Sequence, residues 1–346
     1  PEVPGTAQIA EDLALGLKES GFEVSVFTGQ PAYWDTERLP SKEDYRGICV
    51  YRSYSRRLSR SRLSGAGHRT RLLNGATVAA ITFVNLMRLR RPSVLLVDST
   101  SPFLLVVAWM LRWLRRVPYV LLVHDVYPEI AIQLGIVGPR SSVARIWHRT
   151  YKLVYQAAAR IVVLGPRMKH VVGRSLAPSS YDKCVIIANW ADGDTIVPRS
   201  KAKNPFRREL GLVDRLVVMY SGNMGPAHDM ETVLEAADRL RHLVDLQFLF
   251  IGDGGSRDWV SSVVDQRKLT NVTMLPYQPK EALPLKVAAY SAARRASLLA
   301  KDRSTSPAMA CISWAKIRAK CPQPTTQSFR LILWHSSFGP NRGRQP

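Results

Sequence analysis

The chain has 346 residues, 49 of them Lys or Arg against 27 Asp or Glu, for a formal net charge of +22. The length suits two domains, and a hydrophobic fraction of 46% suits packed cores rather than a disordered chain. No uncharged apolar run reaches the roughly 18 residues that a spanning helix needs, and no apolar leader is read at the start. The basic excess invites an anionic partner: nucleic acid, an anionic membrane or a phosphorylated substrate. Its clusters (Arg52 to Arg71, Arg88 to Arg91, Arg112 to Arg116) lack interleaved aromatics and accompany no nucleic-acid motif, so nucleic acid is not expected. Cys49, Cys184, Cys311 and Cys321 are far apart without metal-ligand spacing, which points to free thiols in a reducing cytoplasm.

Pro1 to Thr6 reads as a loop. A helix over 7–20 follows, with Ile9, Leu13 and Leu17 on one stripe and Gly21 as its cap. Strands are expected at 22–28 and 48–54, with a polar stretch between them and a Ser/Arg/Gly loop over 56–67. A long helix spans 69–89. The run Val94 to Val97 reads as a buried strand that ends in Asp98-Ser99-Thr100-Ser101-Pro102. An apolar helix with Trp109 and Trp113 comes next; that pair fits core packing or a membrane-facing surface. The strand at 119–123 ends in His124-Asp125-Val126-Tyr127-Pro128-Glu129. This turn has two readings: a polar turn with Asp125 capping a short helix, or a cluster of sugar-binding and catalytic groups. A helix over 142–158, a strand at 161–164, a short helix to Val172 and a strand at 185–187 complete the first half.

The stretch 192–205 is polar, and a boundary is placed near residue 195. Beyond it, Leu216 to Tyr220 reads as a buried strand that breaks into Ser221-Gly222-Asn223-Met224-Gly225-Pro226 before a helix opened by Asp229. A strand, a glycine turn and a helix N-terminus commonly bind phosphate; a purely geometric βα turn is the alternative. Leu246 to Ile251 is a second strand, ending in Gly252-Asp253-Gly254-Gly255. A helix and a third strand, 272–275, lead to Pro276-Tyr277-Gln278-Pro279. This alternation predicts an α/β fold with doubly wound parallel sheets, whose ligands sit beyond the carboxyl ends of the strands. From Lys286 onward Asp302 is the only acidic residue and the alternation ceases. Ser328 to Trp334 has strand character without a partner legible by pattern.

The motifs YSGNMG, FLFIGDGG and VTMLPYQPKEALP, with Asn189-Trp190-Ala191-Asp192 before them, resemble family 4 glycosyltransferases. The subgroup is that of bacterial colanic acid, O-antigen and exopolysaccharide assembly, and the resemblance covers about residues 1–285. It implies a GT-B fold of two Rossmann-like domains facing a cleft. The acceptor-side domain would be 1–195, the nucleotide-sugar domain 196–290 and incomplete, and 291–346 an aberrant, irregular tail. It also implies a strand ahead of Pro1, because family members place a Pro/Gly loop like PEVPGTA after a first strand.

The activity implied is glycosyl transfer from a nucleoside diphosphate sugar to a glycan or polyprenyl-diphosphate-linked acceptor. No metal is expected, and the nucleotide sugar is a co-substrate rather than a cofactor. Gly222, Asn223, Gly225 and His228 would meet the diphosphate, and Gly252, Tyr277 and Gln278 would border the base. His124, Asp125 and Glu129 would be the catalytic group, and Gly5 and Thr6 would line the acceptor side. The implied location is cytoplasmic, peripheral on the inner face of the membrane. The family's two acidic positions near the C-terminal end have no counterpart, since no glutamate follows Glu281. Little turnover is therefore expected. Two other readings stand beside this one: a non-catalytic remnant that still binds nucleotide, and a basic nucleic-acid-binding protein.

Overall fold

Strands with apolar residues at every position must be covered on both faces, and this requirement builds the first unit. The computed structural model describes residues 5–30, 39–53, 67–190, 201–225, 228–278 and 330–335. These divide into two compact units, one holding the residues up to Trp190 with Arg330–His335, the other those from 201 to 278.

The first unit contains α1 (Gly5–Glu19), β1 (Glu23–Gly29), β2 (Lys42–Tyr45), β3 (Ile48–Ser53), α2 (Gly67–Arg88), β4 (Val94–Asp98) and α3 (Pro102–Leu114). It continues through β5 (Tyr119–Val123), α4 (Glu129–Gln133), α5 (Ser142–Ala157), β6 (Arg160–Val163), α6 (Pro166–Gly173) and β7 (Cys184–Ile186). β4 and β5 are buried at every position. Alternation along them feeds two cores. Val94, Leu96, Val120 and Leu122 pack with Leu13 and Leu17 of α1. Leu95, Val97, Leu121 and Val123 pack with Leu104, Leu111, Val154 and other residues of α3 and α5. Helix α1 begins at Gly5, two residues earlier than its pattern suggests. It ends as predicted at Gly21 (φ 86°), where Gly21 N–H donates to Lys18 O and Phe22 N–H to Leu17 O.

With Arg330–His335 as β11, the sheet order is β2-β3-β1-β11-β4-β5-β6-β7, parallel throughout except for the β2–β3 pair. β3 is the strand expected at 48–54, whereas β2, its hairpin partner, falls in the stretch read only as polar. The hairpin turn, Arg46-Gly47, has positive φ at both residues (53° and 75°), the handedness that matches strand twist. A larger difference is β11 (Arg330–His335), which lies in the stretch expected to be irregular. It pairs in parallel with β1 (Val26↔Leu333) and with β4 (Ile332↔Leu95), occupying the centre of the sheet. The expectation of an unpaired tail is thus corrected for these six residues. A strand ahead of α1 was implied by resemblance; here the slot beside β1 is taken by β11.

The second unit contains α7 (Pro205–Glu209), β8 (Leu216–Ser221), α8 (Met230–Arg239), β9 (Leu246–Ile251), α9 (Arg257–Gln266) and β10 (Val272–Leu275). Its strands form a parallel sheet in the order β10-β9-β8. β9 is buried along its whole length, with Phe248 and Phe250 against α8 and α9 and Leu249 and Ile251 against Phe206 and Leu212. Arg207 is fully buried, and its guanidinium donates to the carbonyls of Leu212 and Arg215, which closes the chain around the start of β8. The loop expected over 56–67 lies almost wholly outside the described residues, as do Lys280 and Lys286.

Ile332→Pro removes a ladder donor from the middle of an eight-stranded sheet. The loss should cost about 1–3 kcal/mol. It should lower the melting temperature of the full chain by roughly 2–4 °C per kcal/mol, read by circular dichroism. An unchanged melting curve would remove β11 from the sheet.

Candidate functional site

In the first unit the polar residues that matter lie where β4 and β5 end. Asp98 closes β4 and is 2% exposed, and Ser99 beside it is fully buried. Asp98 Oδ1 accepts from the Thr100 N–H at 2.9 Å and lies 3.2 Å from His124 Nδ1. Ser99 Oγ accepts from the backbone N–H of His124 at 2.9 Å and of Asp125 at 3.0 Å. The two strand ends are therefore joined by side chains as well as by the sheet ladder.

Burial of His124 opposes its charge, but the Asp98 hydrogen bond, the carboxylates of Asp98 and Asp125 and a hydrogen bond to Asn189 outweigh it. The net effect raises the imidazole above its ordinary value. Asp125 is also raised, first by burial and then by the Asp98 charge, with His124 opposing. Asp125 does not cap α4: Pro128 occupies that position, after a cis Tyr127–Pro128 peptide.

His124 also borders a small cavity lined by Ile9 and Leu13 of α1, Leu122, Leu164, Asn189 and Trp190. Asp12 of the same helix accepts from Trp190 Nε1 at 3.2 Å. Gly5 and Thr6 open α1 one turn before Ile9. Sequence reasoning therefore brought His124, Asp125 and the start of α1 to one region. It passed over Asp98 and Ser99, whose signal was two polar residues directly after a run buried on both faces.

Glu129 separates from this group. It opens α4, and its Oε1 lies 3.9 Å from His148 Nδ1 of α5. Its charge, after burial, helps push the buried Tyr155 phenol up, and it acts on Tyr151 in the same direction. Its contacts are with α5, not with the Asp98–His124 pair.

In the second unit three turns meet at the carboxyl ends of β8, β9 and β10. Gly222 N–H donates to Ile251 O at 2.9 Å, Met224 N–H to Asp253 O at 2.8 Å and Gly252 N–H to Leu275 O at 3.0 Å. Gly222, Gly252 and Gly254 have φ of 153°, 142° and 145°, a region reserved for glycine. A Cβ on Gly252 would lie 1.9 Å from Gly222 O, and one on Gly254 would lie 2.6 Å from Met224 O. The glycines let two turns of the chain pack main chain to main chain.

In this geometry the main-chain N–H groups of Gly222, Met224 and Gly225 have partners within the turn region. The N–H groups of Gly222 and Gly225 are directed to Ile251 O and Asn223 O, so they are not aimed at a ligand here. The N-terminus of α8 is capped by Asp229, whose carboxylate accepts from the Thr232 N–H and hydroxyl at 3.1 and 2.7 Å. Those bonds hold the carboxyl below its usual range, and its negative charge sits where an anion was expected. His228 belongs to the region: Tyr220 Oη bonds its Nδ1 and donates to Asn223 O at 2.7 Å. Tyr277 and Gln278 follow β10, with Gln278 Nε2 donating to Pro276 O at 3.0 Å. Among the described residues no cluster of three or more His, Cys, Asp or Glu is placed to hold a metal ion, and no helix is long and apolar enough to cross a membrane.

Two doubly wound α/β units, each with polar or glycine-rich turns at its carboxyl strand ends, define a protein of the GT-B class. The chain belongs to the glycosyl transferase 4-like domain family, which matches residues 4–190. It is 26% identical over 301 residues to the putative colanic acid biosynthesis glycosyl transferase WcaI of Escherichia coli K12, covering 82% of this chain and 71% of that protein. It is 31% identical over 174 residues to the probable glycosyltransferase WbjE of Pseudomonas aeruginosa, which is 50% of this chain and 42% of WbjE. Among solved structures, WaaG, a glycosyltransferase of lipopolysaccharide biosynthesis, superposes with a TM-score of 0.58 at 14% identity, over 84% of this chain and 70% of WaaG. Anabaena HepE in complex with UDP and glucose superposes at 0.55 and 14% identity, with the same coverage. Likeness at that identity shows the fold.

The main-chain packing gives a graded expectation. Gly252→Ala meets both a forbidden φ and the Gly222 carbonyl, whereas Gly222→Ala meets open space and the φ strain alone. The φ strain costs about 1–3 kcal/mol. Urea unfolding should show Gly222→Ala within that range, Gly252→Ala beyond it, and Gly255→Ala near the parent. Equal losses at 222 and 252 would contradict the close approach.

Proposed function

We propose that this chain binds a nucleoside diphosphate sugar through its second unit, as part of an enzyme that transfers the sugar to a lipid-linked glycan during cell-surface polysaccharide assembly. The observation that carries the reading is the meeting of Gly222–Gly225, Gly252–Gly255 and Tyr277–Gln278 at one sheet edge, where open α/β sheets take their ligands. The HepE complexes with UDP and with UDP-glucose and the colanic acid designation of WcaI support the ligand class and the process.

Departure of a nucleoside diphosphate leaves charge on oxygen, and groups fixed in advance stabilise it most. His228, held by Tyr220 at Nδ1, presents Nε2 as its other ring nitrogen and is the side chain suited to make a polar contact with the diphosphate sugar. Asn223 adds an amide. Such a site works without a metal. Gly252, Tyr277 and Gln278 border the base. On the acceptor side we assign His124 and Asp125 with the start of α1, Gly5 and Thr6. Glu129 supports α5 rather than the reaction. Because no glutamate follows Glu281, we expect binding of nucleotide with little turnover.

The first unit also offers a surface for an anionic bilayer on the cytoplasmic side. Along the outer face of α5, Val143, Ile146 and Leu153 are exposed (59%, 64% and 51%), with exposed Arg145, Arg149 and Lys152 beside them. At the end of α3, Trp113 is 68% exposed among Arg112, Arg115 and Arg116, while Trp109 packs against the core. Apolar side chains flanked by cations suit an anionic headgroup layer better than a helical groove in a protein.

A panel of UDP, UDP-glucose, GDP and ADP read by thermal shift tests the first part. A ligand at about 100 times its Kd stabilises by about 2.7 kcal/mol. That corresponds to roughly 2–4 °C per kcal/mol. His228→Ala should shrink the shift and leave the parent melting temperature in place. No shift with any nucleotide would end the reading. For the second part, co-sedimentation with vesicles containing phosphatidylserine should be strong at low salt and weak at high salt. Ile146→Glu should reduce it, and equal binding to neutral vesicles would contradict the electrostatic half.

A further inference from the structure

We propose that Asp98 is a positioning residue for His124: it accepts a hydrogen bond from Nδ1–H of the imidazole and fixes the ring at the end of β5 so that, in its charged form, Nε2 donates toward a ligand oxygen. The acceptor side is built before the histidine is considered. Asp98 is the last residue of a fully buried strand, and its Oδ1 is held by the Thr100 N–H at 2.9 Å, so the carboxylate cannot turn freely. The same oxygen lies 3.2 Å from Nδ1, and the His124 side chain is only 10% exposed. Ser99 pins the backbone of His124 and Asp125 from the same strand end. An ionised carboxylate can only accept, so Nδ1 must carry hydrogen and the tautomer follows.

The groups around the ring favour its charged form. β4 presents Asp98, the ring's own turn presents Asp125, and the segment after β7 presents Asn189. α1 and β6 present Ile9, Leu13 and Val162, none of them titratable, and Asp12 of α1 is bonded to Trp190. Burial opposes the charge, and the direction above the ordinary value shows which effect wins. Because the folded midpoint is raised, the stabilisation from the pair is complete below the unfolded value of about 6.5 and is lost as pH rises through the folded midpoint.

The ligand side of this inference rests on the sugar-nucleotide reading, while the Asp98–His124 pair stands without it. The test is a long-range nitrogen–proton NMR titration of the full chain, with His124 identified by the signals lost in His124→Gln. The parent should keep hydrogen on Nδ1 and titrate above the ordinary histidine value. Asp98→Asn should move the midpoint to lower pH and raise the fraction protonated on Nε2 alone. An unchanged midpoint and tautomer in a folded Asp98→Asn would overturn the proposal. If that variant does not fold, a parent ring carrying its neutral-state proton on Nε2 overturns it equally. In a second arm, free glucose, a probe for sugar hydroxyls at the first unit, should shift the His124 signals below the parent midpoint and lose that effect as pH rises through it, and this loss should move to lower pH in Asp98→Asn. A pH-independent shift would remove the ligand role and leave the pair to the NMR result.

Discussion

Burial of β4, β5 and β9 on both faces is the constraint from which the other features follow. A strand covered by helices on each side has no room for polar side chains along its length. Its chemistry is displaced to the residue where the strand stops. Asp98 ends β4, His124 follows β5, and Gly252 follows β9. Within each parallel sheet such ends lie on one edge, so residues far apart in sequence become neighbours without a dedicated loop. The pairing of Asp98 with His124 is 26 residues in sequence but two adjacent strands in space.

The same constraint shapes the glycine turns. Once β8 and β9 are in register, the chain leaving each must cross the other at main-chain distance. Gly222 O and Gly252 approach so closely that no Cβ fits. The glycines in YSGNMG and IGDGG are therefore explained by packing before any ligand is invoked. That shifts the weight of recognition from backbone N–H groups to side chains. Tyr220, Asn223 and His228 form a hydrogen-bonded group above the turn, and Asp229 already satisfies the first turn of α8.

Much of this was legible in the sequence because it is local. Strand and helix order follow from apolar periodicity, and Gly21 announces the end of α1. His124 and Asp125 were visible as polar residues after VLLV, and YSGNMG as a strand followed by glycines. What was not legible depends on partners distant in sequence. Arg330–His335 has the composition of a strand, but its place between β1 and β4 is set by registers with residues about 300 and 240 positions earlier, which no local pattern encodes. β2 was hidden because its side chains are polar and its pairing depends on the unusual backbone of Arg46-Gly47. Asp229 was read as opening a helix, yet the consequence of its carboxylate for an anion site requires the geometry of Thr232. Glu129 is near His124 in sequence, and only the start of α4 turns it toward α5.

The net charge also divides in a way that composition conceals. A formal charge of +22 suggests an attractor for an anionic substrate. The described strand ends are acidic or neutral instead: Asp98, Asp125 and Asp253 sit there with Asp229 at the first turn of α8. Among the described residues of the first unit, exposed arginines and lysines on the outer faces of α3 and α5 lie beside exposed apolar side chains. Exposed charges act only weakly on groups farther away than a Debye length of about 8 Å. The basic excess of the described first unit thus acts on whatever rests against its helices. At the strand ends of the first unit, carboxylates beside an imidazole present individual donors and acceptors rather than a cationic field. Any phosphate bound in the second unit must be met by individual donors there, not by the field of the whole chain.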